Sequence, residues 1–150
     1  MTLTLIAGPP CSGKTTLARE QAGDTPVIDF DDVYQQISGL ERYERGSAMV
    51  DERASSAFRQ AIDDLILEDC NGWIVQSAPR RWQPQTLRRA GVAHTIVLMV
   101  PPEVCLERVR LERPPRWERW VFDWFRDYQS DPDDEVMCPN AEDDLPRLEV

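Results

Sequence analysis

Apolar residues open the chain as a near-continuous run over 2–7, the pattern of a short parallel strand covered on both faces. The run breaks at Gly8, and helical spacing resumes over about 14–21, stopping near Gly23. Residues 26–30 form a second short strand ending in acids, followed by a brief helical stretch over 33–37 and a polar segment, 39–46, rich in Glu and Arg. Ala54, Phe58, Ala61, Ile62, Leu65 and Ile66 then recur at helical spacing, which predicts a long amphipathic helix over 50–68. Asn71 and Gly72 end it. A third strand reads at 73–75, a basic helix at 83–89 and a fourth strand at 95–100, after which Pro101 and Pro102 start a helix to about 112. A last helix sets Trp117, Trp120, Val121, Trp124 and Tyr128 on one face. Alternation of this kind predicts an α/β fold, a three-layer sandwich whose parallel sheet of four to five strands has helices on both faces.

The break at Gly8 carries the first candidate chemistry. Residues 8–15 read Gly-Pro-Pro-Cys-Ser-Gly-Lys-Thr, so Gly8, Gly13, Lys14 and Thr15 match the phosphate-loop pattern G-x-x-x-x-G-K-[ST] between a strand and a helix. The spacing suits a loop that wraps a polyphosphate with backbone N–H groups, with side chains kept clear at the two glycines. The helix start then turns its positive end toward the phosphates. Gly8, Pro9, Pro10, Cys11, Ser12, Gly13, Lys14, Thr15 and Thr16 are therefore the candidate nucleotide cradle. Lys14 reaches the β- and γ-phosphates and Thr15 ligates Mg²⁺. Lys14 is the only lysine beside sixteen arginines.

Charge changes the picture only locally. The formal net charge is −10, but residues 131–150 alone carry −7, leaving −3 on the rest. Residues 1–130 therefore read as the domain and 131–150 as an acidic, flexible tail. Four scattered cysteines without a C-x-x-C pair, and no secretory segment ahead of them, predict a cytoplasmic protein with reduced thiols. One histidine and no clustered ligands argue against zinc, and no apolar run reaches the length of a membrane span.

A phosphate loop is common to kinases, GTPases and ATPases, so the remaining acids have to discriminate. The third strand runs into Gln76 and Ser77 without an acid, and an Asn-Lys-x-Asp motif is ruled out by the single lysine. The acids lie instead after the second strand, in Asp29-Phe30-Asp31-Asp32. Phosphoryl transfer to a hydroxyl needs a carboxylate across the γ-phosphate, and two neighbours can divide the work between acceptor and magnesium shell. The plainer alternative is that they cap the helix at Val33.

Taken together, the loop at 8–15, the strand ending in Asp31-Asp32 and the arginines late in the chain resemble the small P-loop kinases. The resemblance is nearest to the kinase domain of bacteriophage-type polynucleotide 5′-hydroxyl kinases, with zeta-toxin, shikimate and gluconate kinases as relatives. It implies that Asp32, in Asp31-Asp32-Val33-Tyr34, is the general base, with Asp31 serving magnesium and acceptor. Three departures stand out: an Arg shortly after the Asp pair has no match in Tyr34-Gln35-Gln36, the third strand lacks an acid, and the arginine spacing before the lid is shifted.

Arg108, Arg110, Arg113 and Arg116 crowd the end of one helix and its following turn. Arg110 and Arg113 are the candidates for the transferring phosphoryl group, while Arg108 and Arg113 could instead pair with Glu107 and Glu112. Arg80 and Arg81, with Arg88 and Arg89 further on, either hold an acceptor phosphate or stay solvated. The aromatic face of the last helix reads as core packing, with base stacking as the alternative. The expected activity is an ATP- and Mg²⁺-dependent kinase acting on a hydroxyl of a DNA or RNA end, a modified base in DNA, or a nucleoside. The rival is a nucleotide-binding, ATPase-like module that regulates a partner protein through the aromatic helix or the acidic tail.

Overall fold

In a computed structural model that describes residues 1–139, five strands form one sheet in the order β2-β3-β1-β4-β5, and every neighbouring pair is parallel. The strands are β1 (Leu3–Ala7), β2 (Val27–Asp29), β3 (Gly72–Val75), β4 (His94–Leu98) and β5 (Asp134–Met137). The helices are α1 (Lys14–Ala22), α2 (Phe30–Ser38), α3 (Ala48–Leu67), α4 (Trp82–Ala90), α5 (Pro102–Glu112) and α6 (Trp117–Asp127). Each lies within a few residues of the segment that periodicity predicts.

β1 sits at the centre because all five of its residues are buried, as a strand sandwiched between two helical layers requires. Its alternation divides the core. Leu3, Leu5 and Ala7 pack with Phe58, Ile62 and Leu65 of α3 and Leu87 of α4, while Ile6 packs with Ala18 of α1 and Cys105 and Val109 of α5. Each fully buried aliphatic side chain contributes about 1.5–3 kcal/mol. α6 joins both layers: Trp117 and Val121 belong to the second cluster and Trp124 to the first.

One expectation fails. Part of the segment set apart as a tail from residue 131 is the edge strand β5, with Thr95 aligned to Asp134 and Leu98 to Met137. Strand pairing uses main-chain groups, so an acidic composition does not forbid it once the charges are met. Arg88 of α4 meets them, binding Asp131 at 3.0 Å and Asp134 at 3.1 Å. Asp131 also accepts from the Asp133 N–H at 2.9 Å, which shapes the turn into β5. Residues 140–150, the rest of the expected tail, lie outside the described residues.

Candidate active site

The loop between β1 and α1 is shaped by two glycines with no room or no freedom for a side chain. A Cβ on Gly8 would stand 2.7 Å from the Leu98 carbonyl oxygen and 2.9 Å from Ser12 Oγ. Gly13 takes the left-handed conformation, φ 92°, at the N-cap of α1. The first turn of α1 has no side-chain cap and no acid, so its N–H groups are left for an anion. Arg108 buttresses the loop from α5 by donating to the Cys11 carbonyl at 3.0 Å. Ser12 Oγ is buried without a partner, an orphaned group facing the cradle.

Lys14 folds back over this loop, its Nζ donating to the carbonyls of Gly8 at 3.0 Å and Pro9 at 2.8 Å. Burial holds its pKa below the usual lysine value. Thr15 Oγ1 donates to Asp29 Oδ2 at 2.5 Å. Asp29, 2 % exposed, ends β2 and caps α2 by accepting from the Asp31 N–H at 2.9 Å. Burial first, then the neighbouring Asp31 charge, pushes its carboxyl above the usual range. Burial also raises the Cys11 thiol and pushes Cys105 up to about 12.

A cavity of about 680 Å³ opens over the loop and is lined by Lys14, Thr15, Asp29, Asp31, Arg45, Arg113 and the indoles of α6. Asp31 and Asp32 part company here. Consecutive helical residues leave the axis about 100° apart, so the two acids meet different partners. Asp31 lines it, paired with Arg45 at 2.6 Å. Asp32 is not in the lining; it binds Arg42 and, at 3.6 Å, Arg19.

The segment between α2 and α3 straps across the mouth. Arg42 and Arg45 reach back to the two acids of α2, and Glu44 pairs with Arg116 at 2.7 Å. The Tyr43 carbonyl accepts from Trp117 Nε1 at 2.9 Å, and Arg113 lies 3.4 Å above the Tyr43 ring. Trp124 Nε1 donates at 2.8 Å to the Ser77 carbonyl, which also accepts from the Gly8 N–H at 3.2 Å. That shared oxygen couples α6 to the phosphate loop.

Of the arginines singled out from sequence, only Arg113 comes to the cavity, with its Nε buried and unpartnered. Arg110 turns outward to an exposed pair with Glu118 at 2.6 Å, because on α5 the inward positions belong to Cys105 and Val109. Arg80 pairs with Asp127 at 3.6 Å and Arg81 donates to the Ser130 carbonyl at 2.8 Å; neither lines the cavity. Arg88 serves β5. Sequence reasoning passed over Asp29 and Arg45. A signal for Asp29 exists, since an acid closes the apolar stretch Val27-Ile28, but Asp31 and Asp32 beside it are the same residue type and mask it. Nothing in the sequence singles out Arg45 from its neighbours in a polar loop.

No group of three or more His, Cys, Asp or Glu poised to hold a metal occurs among the described residues. The Thr15 hydroxyl beside the Asp29 carboxylate nevertheless fits magnesium, which takes one or two protein oxygens and completes its shell with water and phosphate. No helix among the described residues is long and apolar enough to cross a membrane.

Central parallel strand, glycine-bounded loop, buried lysine and helix N-terminus together define a P-loop nucleotide-binding domain. The chain belongs to the AAA domain family, whose model matches residues 5–119. No curated protein matches the sequence. Among solved structures, a sugar kinase from Janibacter sp. HTCC2649 is similar with TM-score 0.63 and 18 % identity, over 92 % of this chain and 84 % of that one. Shikimate kinase from Aquifex aeolicus vf5 is similar with TM-score 0.59 and 22 % identity, over 90 % and 85 %. A chain of the Pnkp1/Rnl/Hen1 complex is similar with TM-score 0.60 and 19 % identity; the match covers 75 % of this chain and 40 % of that one. At these identities the likeness establishes the fold.

Proposed function

We propose that the protein is an ATP- and Mg²⁺-dependent phosphotransferase that acts on a hydroxyl acceptor. The observation that carries this reading is one cavity in which the phosphate loop, the Thr15–Asp29 pair and the Asp31 carboxylate converge. Asp31 takes the role of base in place of Asp32, because Asp31 lines the cavity and Asp32 is engaged by Arg42 and Arg19. Arg45 holds and orients the Asp31 carboxylate. Lys14 and Arg113 hold the transferring phosphoryl group, and the uncapped N–H groups at the start of α1 cradle the phosphates. Magnesium would be held by Thr15 and Asp29 and would neutralise charge on the β- and γ-phosphates. In the transfer, the acceptor oxygen bonds to the γ-phosphorus as the bond to the ADP oxygen breaks. The acceptor proton passes to Asp31.

The similar solved structures are named as sugar and shikimate kinases and as a Pnkp1-containing complex, so small hydroxylated molecules join nucleic-acid ends, modified bases and nucleosides as acceptor classes. A γ-phosphate transfer screen across those classes tests the reading. Label on a hydroxyl acceptor, lost in Lys14→Ala, supports it; robust ATP hydrolysis with no labelled acceptor sinks it.

A further inference from the structure

The cavity walls differ sharply in charge, and the difference bears on what the acceptor is. Lys14 and Arg113 stand with the phosphate loop, and Arg42 and Arg19 are drawn to Asp32. Arg45, the cation nearest the α6 wall, is paired with Asp31 at 2.6 Å and enclosed by aromatic rings, 4.3 Å from the Tyr34 centroid and 5.0 Å from that of Trp117. Beside it α6 contributes Asp123 and Asp127, one turn apart, to the lining. Toward α6 the lining therefore sets Arg45, already paired, against Asp31, Asp123 and Asp127, while the lining cations Arg19 and Arg42 are engaged by Asp32. The arginines that partner Asp123 and Asp127, namely Arg119, Arg126 and Arg80, have side chains 83 %, 65 % and 55 % exposed and none lines the cavity. The polar side chains that the loop after β3 and the start of α4 add to the lining, Gln76, Ser77 and Gln83, are uncharged.

The indoles of the same wall have different jobs. Trp117 and Trp124 are buried and their N–H groups are committed to the carbonyls of Tyr43 and Ser77. Trp120 is half-buried, braced edge-on by Trp117 at 4.8 Å between centroids, and lines the cavity.

We propose, resting on the phosphotransferase reading, that the acceptor is an uncharged or cationic hydroxylated ring compound whose apolar face lies on Trp120 and whose polar edge meets Asp123 and Asp127. Anionic acceptors are rejected by that carboxylate wall. A ring with an apolar face gains dispersion on an indole, and hydroxyl or ammonium groups donate to carboxylates. A phosphate or carboxylate on the acceptor would face two carboxylates whose partner arginines lie outside the cavity, the repulsive element that sets specificity. The cavity volume, about 680 Å³, lies in the range of small-molecule sites.

The test is calorimetric titration of the full chain with Mg²⁺ and a non-hydrolysable ATP analogue, using probes matched in ring and differing in charge: thymidine against thymidine 5′-monophosphate, and glucose and glucosamine against gluconate. At least one uncharged or cationic probe should bind, with its anionic counterpart weaker by about tenfold or more, the effect of about 1.4 kcal/mol. Trp120→Ala should weaken that binding by about tenfold, the loss of one stacked ring. Asp123→Asn with Asp127→Asn, both on the partly exposed side of α6, should narrow the gap between paired probes and does not depend on the Trp120 variant folding. Equal or tighter binding of the anions overturns the proposal, as does binding by no probe up to millimolar concentration, or a charge preference unmoved by the paired Asn variant. The readout is binding, so it separates from the activity: a neutral ligand that binds without being phosphorylated counts against the kinase, and phosphorylation of an anion counts against this inference alone.

Discussion

Thr15 and Asp29, fourteen residues apart in sequence, meet at 2.5 Å between the hydroxyl and the carboxylate. The contact joins the first turn of α1 to the end of β2, the strand two places from β1 in the sheet. It places a hard oxygen pair beside the phosphate loop. Asp29→Ala should therefore raise the magnesium concentration needed for turnover and lower kcat by about 10²-fold or more. Initial rates measured across a magnesium series check this, and an unchanged magnesium dependence would remove Asp29 from the site.

Asp31 and Asp32 are adjacent in sequence but face different partners, so their variants should separate. Asp31→Asn should lower kcat by about 10²–10⁴-fold, the usual contribution of a general base, with ATP affinity kept within a few-fold. Asp32→Asn breaks its pairs with Arg42 and Arg19, which are partly exposed and worth about 1 kcal/mol or less, and should keep most of the turnover. The reverse ranking in a transfer assay would restore Asp32 as the base.

Arg113 and Arg110 make a second such pair on the lid. Arg113→Ala removes a guanidinium from the cavity and should lower kcat by about 10²-fold or more. Arg110→Ala breaks only an exposed pair with Glu118 and should stay within about twofold of the parent. Steady-state kinetics on both proteins under one set of conditions decides between them.

Burial raises the Asp29 carboxyl in the folded protein, and this has a defined sign. The neutral form is favoured by folding, so its stabilising contribution is complete below the unfolded value, near 3.8, and is lost as pH rises through the higher folded value. At neutral pH the ionised group costs stability in the protein without bound nucleotide. Asp29→Asn keeps the cap on α2 and removes the charge, so it should raise Tm at pH 7–8 and change it little at pH 4. A domain of this size shifts about 2–4 °C per kcal/mol. Thermal melts at both pH values report it, and a Tm gain that is equal at both would contradict the assignment.

Gly8→Ala should also be informative. The added methyl would meet the Leu98 backbone oxygen at 2.7 Å, and a strand carbonyl cannot move aside as a flexible side chain can. The expected cost is about 1–3 kcal/mol, read as a fall in Tm, with loss of nucleotide binding as the loop is pushed open.

Periodicity delivered the order and type of every element but β5, because apolar spacing is dictated locally by which face of a strand or helix must be buried. The phosphate loop was equally legible: Gly8, Gly13, Lys14 and Thr15 act within one contiguous turn, so their spacing in sequence is their spacing in space. The edge strand β5 was not legible, since two of its four residues are acids and its pairing is made by main-chain groups beside a half-buried Arg88 drawn from a distant helix. Tertiary structure also decided which acid and which arginine face the cavity. Asp31 differs from Asp32, and Arg113 from Arg110, only in the direction each side chain leaves its backbone and in the partner waiting there. Those directions come from how α2, α5 and α6 dock on the sheet, and Asp29 reaches Thr15 only because β2 lies two strands from β1 with α1 crossing between them. Local sequence thus determined the phosphate loop and the framework, while side chains brought together from distant segments, which no local pattern encodes, determined the rest of the cavity lining.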